Sequence, residues 1–174
     1  MRDHKVIHPD GSPGQYGTVH FKANGVGVLP LDHNGKVWMV GQHRFPLNAY
    51  SWEVPEGGSP LGETPLETAK RELAEETGLK AEQWHSLFKS VALSNSVSDE
   101  RGWGYLAFGL TSGQSHPEAS EELEIEQWPF PLLLSRVLSG DVSDSVTQLI
   151  TLSAFLRAQR GEFPTEICEL ILSN

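Results

Sequence analysis

Residues 57–79 read GGSPLGETPLETAKRELAEETGL, and this stretch decides how the rest of the chain is interpreted. Thr64 is a good N-cap, and Glu67 three residues later completes a capping box. Gly78 is placed to end a helix in the left-handed conformation. Between these two signals the apolar residues recur at helical spacing. The sequence therefore predicts a helix over residues 65–77.

The predicted helix carries three glutamates at spacings of three and four residues, Glu72, Glu75 and Glu76. Like charges at this spacing repel each other by roughly a few tenths of a kcal/mol per pair. The cluster stabilises nothing unless a cation sits within it, and carboxylate oxygens suit Mg²⁺ or Mn²⁺ better than zinc. Arg71 adjoins the cluster and can pair with one carboxylate. The spacing alone also fits a solvated acidic helix face.

Length and charge limit the classes of function. The chain has 174 residues, with 23 Asp and Glu against 13 Lys and Arg, and a net charge of -10. A surface this negative repels phosphate backbones and anionic lipid, which excludes a general nucleic-acid binder or a membrane-surface binder. The one cysteine, Cys168, excludes an intramolecular disulfide framework. We expect one domain, located in the cytoplasm.

The flanking sequence predicts mostly strands. Residues 26–31 and 37–42 are apolar and are separated by an Asn34-Gly35 pair, which predicts an antiparallel hairpin. Further strands are predicted at 51–54, 84–93, 104–110 and 123–126, and helices at 131–138 and 143–160. Strands on both sides of one central helix, with helices at the end, predict an α+β fold, an α/β/α sandwich with a mixed sheet covered by helices.

The glutamate helix belongs to a longer spaced motif, Gly57-x5-Glu63-x7-Arg71-Glu72-Leu73-x-Glu75-Glu76-x-Gly78-Leu79. At every specified position it is similar to the signature of the Nudix hydrolase family, the Nudix box. The resemblance implies the Nudix fold, a mixed β-sheet between helices with the box forming a loop–helix–loop. It also implies hydrolysis of a nucleoside diphosphate linked to another group, with divalent cations.

The resemblance also implies roles for individual residues. Glu72 and Glu76 match the principal metal ligands, and Glu75 matches a further ligand or water contact. The backbone carbonyl of Glu56 would also face the metal. Glu75 and Glu76 are therefore expected to be catalytic as well, with Mg²⁺ as the cofactor and Mn²⁺ as a substitute. Glu63 and Arg71 match supporting residues.

The flanks resemble the ADP-ribose pyrophosphatase and nucleoside-diphosphate-sugar hydrolase branch of the family. The branch's opening arm is similar to the N-terminal His8-Pro9-Asp10-Gly11. Its Gln-Tyr-Arg-Tyr-Pro strand end is similar to residues 42–46, and its Glu-hydrophobic-Pro-Ala-Gly stretch is similar to residues 52–57. Arg44 would then contact phosphate, because a guanidinium suits bidentate phosphate binding. Glu53 would contact the substrate or support the metal site.

Two tryptophans and a glutamate-rich segment complete the candidate site. Trp52 and Trp103 could stack on a base or sugar, although tryptophan also serves in cores and interfaces. The resemblance implies a general base within residues 111–122. In the branch the base lies two residues before a hydrophobic–acidic–hydrophobic strand start, which Leu123-Glu124-Ile125 matches, so Glu121 is the first choice. Glu122 is the second choice.

One stretch departs from the branch. Its ADP-ribose enzymes usually carry Ser-Pro-Gly after the box, whereas here residues 93–101 retain Ser98-Asp99-Glu100 and lack the Pro-Gly. The departure leaves room for sugar nucleotides such as GDP-mannose. The expected products are a nucleoside monophosphate and a sugar phosphate. Hydrolysis of dinucleoside polyphosphates or nucleoside triphosphates is the alternative activity, and a non-catalytic nucleotide sensor is a third reading.

The resemblance finally implies an assembly. Residues 1–20 would form an N-terminal β arm that joins two copies into a homodimer, and residues 21–174 would form the Nudix hydrolase domain. The composition fits a monomer equally well.

Overall fold

The structure is a computed structural model that describes residues 1–113 and 123–173. No helix in these two ranges is long and apolar enough to cross a membrane. The strands are β1 Arg2–Ile7, β2 Pro13–Thr18, β3 Asn24–Pro30, β4 Lys36–Arg44, β5 Ala49–Glu53, β6 Glu56–Ser59, β7 Leu79–Ala92, β8 Arg101–Ser112 and β9 Glu124–Pro129. The helices are α1 Pro65–Thr77, α2 Phe130–Ser139, α3 Ser145–Gln159 and α4 Thr165–Leu172.

The strands form two larger sheets and a separate hairpin. One sheet has the order β6-β3-β8-β7 and is mixed, because β3 runs parallel to β8 and antiparallel to β6. The other sheet has the order β5-β4-β9 and is antiparallel. The hairpin consists of β1 and β2. The mixed sheet brings the start of β3 beside β6, which leads into α1.

Helices cover the sheets in two layers. Val26 and Val28 of β3 pack with Ala69 and Leu73 of α1 in one buried cluster. Leu29 belongs to the other cluster, which includes residues of α2, α3 and α4. Alternate residues of one strand thus face opposite helical layers, as the pleat requires. The α+β class with helices around a mixed sheet is confirmed.

The central helix begins and ends where its sequence predicts. The Thr64 hydroxyl accepts a hydrogen bond from the Glu67 N–H at 3.3 Å, and the Glu67 carboxylate accepts one from the Thr64 N–H at 2.8 Å. Gly78 ends the helix with a φ of 69°. All these signals lie within residues 64–78, which is why local sequence sufficed to predict α1.

The predicted hairpin of residues 26–31 with 37–42 is wrong. The turn itself forms, and Asp32 Oδ1 accepts hydrogen bonds from the N–H groups of Asn34 at 2.8 Å and Lys36 at 2.9 Å. Beyond a single bridge between Leu31 and Val37 the strands separate, and β3 and β4 enter different sheets. The reason is burial on both faces of β3, which favours a central position between β6 and β8.

The chain after the N-terminal hairpin is fastened to the connection between β7 and β8. The Asp99 carboxylate accepts a hydrogen bond from the Phe21 N–H at 3.0 Å and also pairs with His20. The Val19 N–H donates to the Val97 carbonyl at 2.7 Å. These contacts bring residues 19–21 beside the segment that carries Ser98-Asp99-Glu100.

Candidate metal and substrate site

Two carboxylates of α1 are buried against β6. Glu72 is 8% exposed and Glu76 is 7% exposed. Burial of a carboxylate is costly unless cations or hydrogen-bond donors compensate. The Glu56 N–H donates to Glu76 Oε2 at 3.1 Å. At Gly57 a Cβ would lie 2.0 Å from Glu72 Oε1, so a glycine is required here for the carboxylate to approach the backbone.

Arg71 organises the other charges of the box. Its Nη1 donates to Glu72 Oε1 and to Glu75 Oε2, both at 2.8 Å. Its Nε and Nη2 each donate to Glu63 at 3.2 Å, and Nη2 also donates to the Gly58 carbonyl at 2.9 Å. Hydrogen bonding to Glu63 is the main cause that raises the pKa of Arg71, and Arg71 in turn lowers the pKa of Glu63. The arginine therefore orients three carboxylates along one side of α1.

The charged residues of the box, Glu63, Arg71, Glu72, Glu75 and Glu76, form one cluster. A second charged cluster lies beside it and consists of Arg44, Glu53, Glu56 and Asp144. Arg44 Nε donates to the two carboxylate oxygens of Glu53 at 3.0 and 3.1 Å, and Arg44 Nη2 lies 3.3 Å from Glu56 Oε1. Carboxylate oxygens of Glu53, Glu56 and Asp144 lie within 4.8 Å of one another. Hydrogen bonding to Glu53 raises the pKa of Arg44. Burial, followed by the charges of Asp144 and Glu53, raises the pKa of Glu56 well above its usual value.

Glu56 joins the two clusters, because its N–H contacts Glu76 and its carboxylate contacts Arg44. Together the clusters hold seven carboxyl groups against two guanidinium groups, from Glu53, Glu56, Glu63, Glu72, Glu75, Glu76, Asp144, Arg44 and Arg71. Such an excess of hard oxygen donors suits a divalent cation such as Mg²⁺ or Mn²⁺. The space that Gly57 leaves beside Glu72 supports the same fit.

A cleft of about 520 Å³ opens at this junction. Arg44, Glu56 and Gly57 line it on the side of the two clusters, and Asp144 lines it from the start of α3. The remaining lining residues are Phe21, Ala23, Asn24, Gly25, Val26, Gly58, Leu93, Ser94, Glu100, Ser145 and Val146. A small molecule bound in this cleft would therefore contact both the box and the segment after β7.

The two candidate stacking residues lie in the hydrophobic clusters. Trp52 packs against the cluster of α2–α4, with its ring centroid 5.4 Å from that of Trp128 and 5.7 Å from that of Tyr50. Trp103 packs against the cluster of α1. Among the described residues that line the cleft, neither tryptophan is included. Stacking of Trp52 or Trp103 on a substrate stays a prediction.

The remaining site predictions divide into residues that the structure describes and residues that it does not. Glu121 and Glu122, the candidates for the general base, lie outside the described residues, so their role stays a prediction. Asp144 joins the site although no motif in the sequence indicates it. Its carboxylate caps α3 by accepting a hydrogen bond from the Thr147 N–H at 2.7 Å. The available signal was the preference of aspartate for the N-cap position.

Comparison with solved structures bears on the fold. The chain is similar to a structure described as the crystal structure of an ADP compounds hydrolase, with a TM-score of 0.75. The match covers 91% of this chain and 94% of that chain, at 18% sequence identity. At this identity the likeness shows the fold alone.

Comparison with characterised proteins shows relatives of more than one activity. The chain is 37% identical over 131 residues to an ADP-ribose pyrophosphatase of Mycobacterium tuberculosis, a match that covers 73% of this chain and 61% of that protein. It is 36% identical over 143 residues to an ADP-ribose pyrophosphatase of Bacillus subtilis, covering 78% of this chain and 76% of that protein. An RNA pyrophosphohydrolase of Bartonella henselae is 32% identical over 124 residues, covering 59% and 72%.

The family model of the NUDIX domain matches residues 22–137, which include the box, both charged clusters except Asp144, and most of the strands that position them. The chain therefore belongs to the Nudix family.

Proposed function

We propose that the chain hydrolyses the pyrophosphate bond of ADP-ribose and related nucleoside diphosphate sugars, with Mg²⁺ as cofactor and Mn²⁺ as a substitute. The observation that carries this proposal is the pair of buried glutamates, Glu72 and Glu76, which contact the start of β6 beside the cleft. The relatives described as ADP-ribose pyrophosphatases support the substrate class. The products would be a nucleoside monophosphate and a sugar phosphate.

The residues that would hold the cation are those of the box. We assign Glu72 and Glu76 as principal ligands, Glu75 as a further ligand or water contact, and the Glu56 carbonyl as a backbone ligand. A bound divalent cation neutralises pyrophosphate charge and lowers the pKa of a bound water. Arg71 would keep Glu72 and Glu75 in place through the contacts described above.

Arg44 and Glu53 would act on the substrate side of the junction. The contacts of Arg44 to Glu53 and Glu56 use its Nε and Nη2. We therefore assign its Nη1 to the substrate phosphate, and Glu53 to holding the guanidinium at the cleft. Glu121, or Glu122 as second choice, would accept the proton of the attacking water.

The sequence also allows two other functions. The second candidate is hydrolysis of dinucleoside polyphosphates or nucleoside triphosphates, and the relative described as an RNA pyrophosphohydrolase is named for a substrate other than a nucleotide sugar. The N-terminal arm and the motif of residues 42–46 argue against it. A non-catalytic sensor is disfavoured because such a module would be expected to lose box glutamates, and all of them are present here.

We further propose that the arm makes the protein a homodimer and that it works in the cytoplasm. In support of the dimer, the β1–β2 hairpin pairs only with itself among the described strands and leaves Ile7 72% exposed. The proposed substrate is a small nucleotide sugar, with no role for nucleic acid or membrane.

The proposal predicts a substrate order. With Mg²⁺, kcat/KM should be higher for ADP-ribose or GDP-mannose than for diadenosine tetraphosphate or ATP. Chromatography of the products should show AMP and ribose 5-phosphate from ADP-ribose. Turnover confined to the polyphosphates would favour the second candidate function instead.

The glycine beside Glu72 gives a direct prediction about the metal site. Gly57→Ala places a methyl carbon 2.0 Å from Glu72 Oε1, which is too close, so the carboxylate must move away from the backbone. We expect the dissociation constant for Mn²⁺ to rise by about 10- to 100-fold, the usual cost of disturbing a ligand's support. Titration calorimetry without substrate measures this constant.

The neighbouring glycine is the matched control. At Gly58 a Cβ would lie 3.2 Å from the Ala23 Cβ, which requires an adjustment of only a few tenths of an ångström. Gly58→Ala should therefore weaken Mn²⁺ binding much less than Gly57→Ala. Equal binding constants for the two variants would remove Glu72 from the proposed ligands.

A further inference from the structure

The link between β5 and β6 is held by three different elements. The Val54 N–H donates to Thr147 Oγ1 of α3 at 3.0 Å. The Pro55 carbonyl accepts from the Val28 N–H of β3 at 2.9 Å. The Glu56 N–H donates to Glu76 of α1 at 3.1 Å. The link, Val54 and Pro55, therefore fixes the positions of Glu53 at the end of β5 and Glu56 at the start of β6.

The contact from α3 joins the Thr147 side chain to the Val54 backbone, two groups that are far apart in sequence. Thr147 and Val54 are 93 residues apart, and both are completely buried. The position of Thr147 is fixed in turn by Asp144, whose carboxylate accepts its N–H at 2.7 Å. A buried N–H needs an acceptor, so the Thr147 hydroxyl holds the link in one position.

We propose that Thr147 is a positioning residue for the active site. Its hydroxyl holds the Val54 peptide so that Glu53 meets Arg44 on one side and Glu56 meets Glu76 on the other. The proposal deepens the proposed function, on which its catalytic part rests. It assigns a site role to a helix that contributes no residue to the Nudix box.

The hydroxyl, rather than the volume of the side chain, carries this role. Valine has nearly the shape of threonine and would fill the same buried space, but it offers no acceptor to the Val54 N–H. The link would then shift towards another acceptor. Glu53 and Glu56 lie on either side of Val54 and Pro55, so both would move relative to Arg44 and Glu76.

The helix itself supplies a matched control. Thr151 lies one turn further along α3 and is also completely buried, but its hydroxyl donates to the Thr147 carbonyl within the same helix at 2.7 Å. Thr151→Val is therefore the same chemical change at the same burial, and it leaves the hydrogen bond from the Val54 N–H to the Thr147 hydroxyl in place. Thr147→Ser keeps the hydroxyl and serves as the rescue variant.

The test measures Mn²⁺ binding to the full chain, with the free ion detected by electron paramagnetic resonance. It also measures kcat and KM for ADP-ribose. Thr147→Val should raise the Mn²⁺ dissociation constant about tenfold and lower kcat by a similar factor. Thr147→Ser and Thr151→Val should both match the natural chain. If the valine variant does not fold, Thr147→Cys carries the same prediction, because a thiol is a weak acceptor.

Two results would overturn the proposal: unchanged Mn²⁺ binding in Thr147→Val or its cysteine substitute, or equal weakening in Thr151→Val. Failure of the proposed function is a separate outcome. In that case the natural chain would hydrolyse none of the nucleotide sugars, while the Mn²⁺ titrations would still decide the role of Thr147.

Discussion

Glu76→Gln is expected to lower kcat for ADP-ribose by about 10³-fold, since loss of a metal ligand removes several kcal/mol of transition-state stabilisation. Glu76 is 7% exposed and accepts the Glu56 N–H. The amide has the same shape as the carboxylate and can still accept that hydrogen bond, so the fold should survive. Steady-state kinetics, with circular dichroism to verify folding, measures both effects.

A matched control for this variant is Glu169→Gln. Glu169 lies on the exposed side of α4, and the change removes the same charge from a helix outside the box. Its kcat should equal that of the natural chain. If Glu76→Gln also turns over normally, Glu76 is not a metal ligand and the assignment of the box must be withdrawn.

Glu121→Gln is expected to lower kcat by at least about 10²-fold, the usual contribution of a general base. Mn²⁺ binding should stay unchanged, because the proposed role is to accept a proton and not to bind the cation. The described strand β9, which begins three residues after Glu121, lies in the same sheet as Glu53. Val40 pairs with Glu53 of β5 on one side and with Ile125 of β9 on the other, so Ile125 and Glu53 lie at the same level of the sheet.

The same segment supplies the comparison variants. Glu118→Gln removes an identical charge three residues earlier and should leave kcat unchanged. Glu122→Gln tests the second choice. If only Glu122→Gln is impaired, the base is one residue later than assigned, and normal kcat in both would place the base elsewhere.

The parts of the fold that the sequence predicted are those with local causes. The helix α1 depends on Thr64, Glu67 and Gly78, all within one short segment. The turn after β3 was also predicted, because Asp32 and Gly35 determine it locally. The pairing of β3 with β8 could not be read in this way, because a hydrophobic pattern shows that a strand is buried and does not show its neighbour.

The same division holds at the site. The spacing within the box predicted that Glu72, Glu75 and Arg71 would lie together. The contact of Thr147 with Val54 joins residues 93 positions apart, and no pattern in either segment indicates it. The metal contact expected of the Glu56 carbonyl stays a prediction, and the contacts that the structure shows for the Glu56 N–H and carboxylate could not be read from the sequence.

The acidic residues that give the chain its net charge of -10 are unevenly distributed along the sequence. Residues 53–82 contain eight glutamates and residues 118–126 contain five, so the two segments supply 13 of the 23 acidic residues. The first of these segments contains the box, so negative charge is concentrated at the proposed metal ligands. A pyrophosphate would be repelled there unless divalent cations were bound first.

Hydrolysis of ADP-ribose by the natural chain, measured with Mg²⁺, with a chelator, and after Mg²⁺ is restored, tests whether turnover depends on a bound cation. We expect AMP and ribose 5-phosphate with Mg²⁺, loss of activity in the chelator, and recovery when the metal returns. Equal hydrolysis in the presence of the chelator would contradict this dependence.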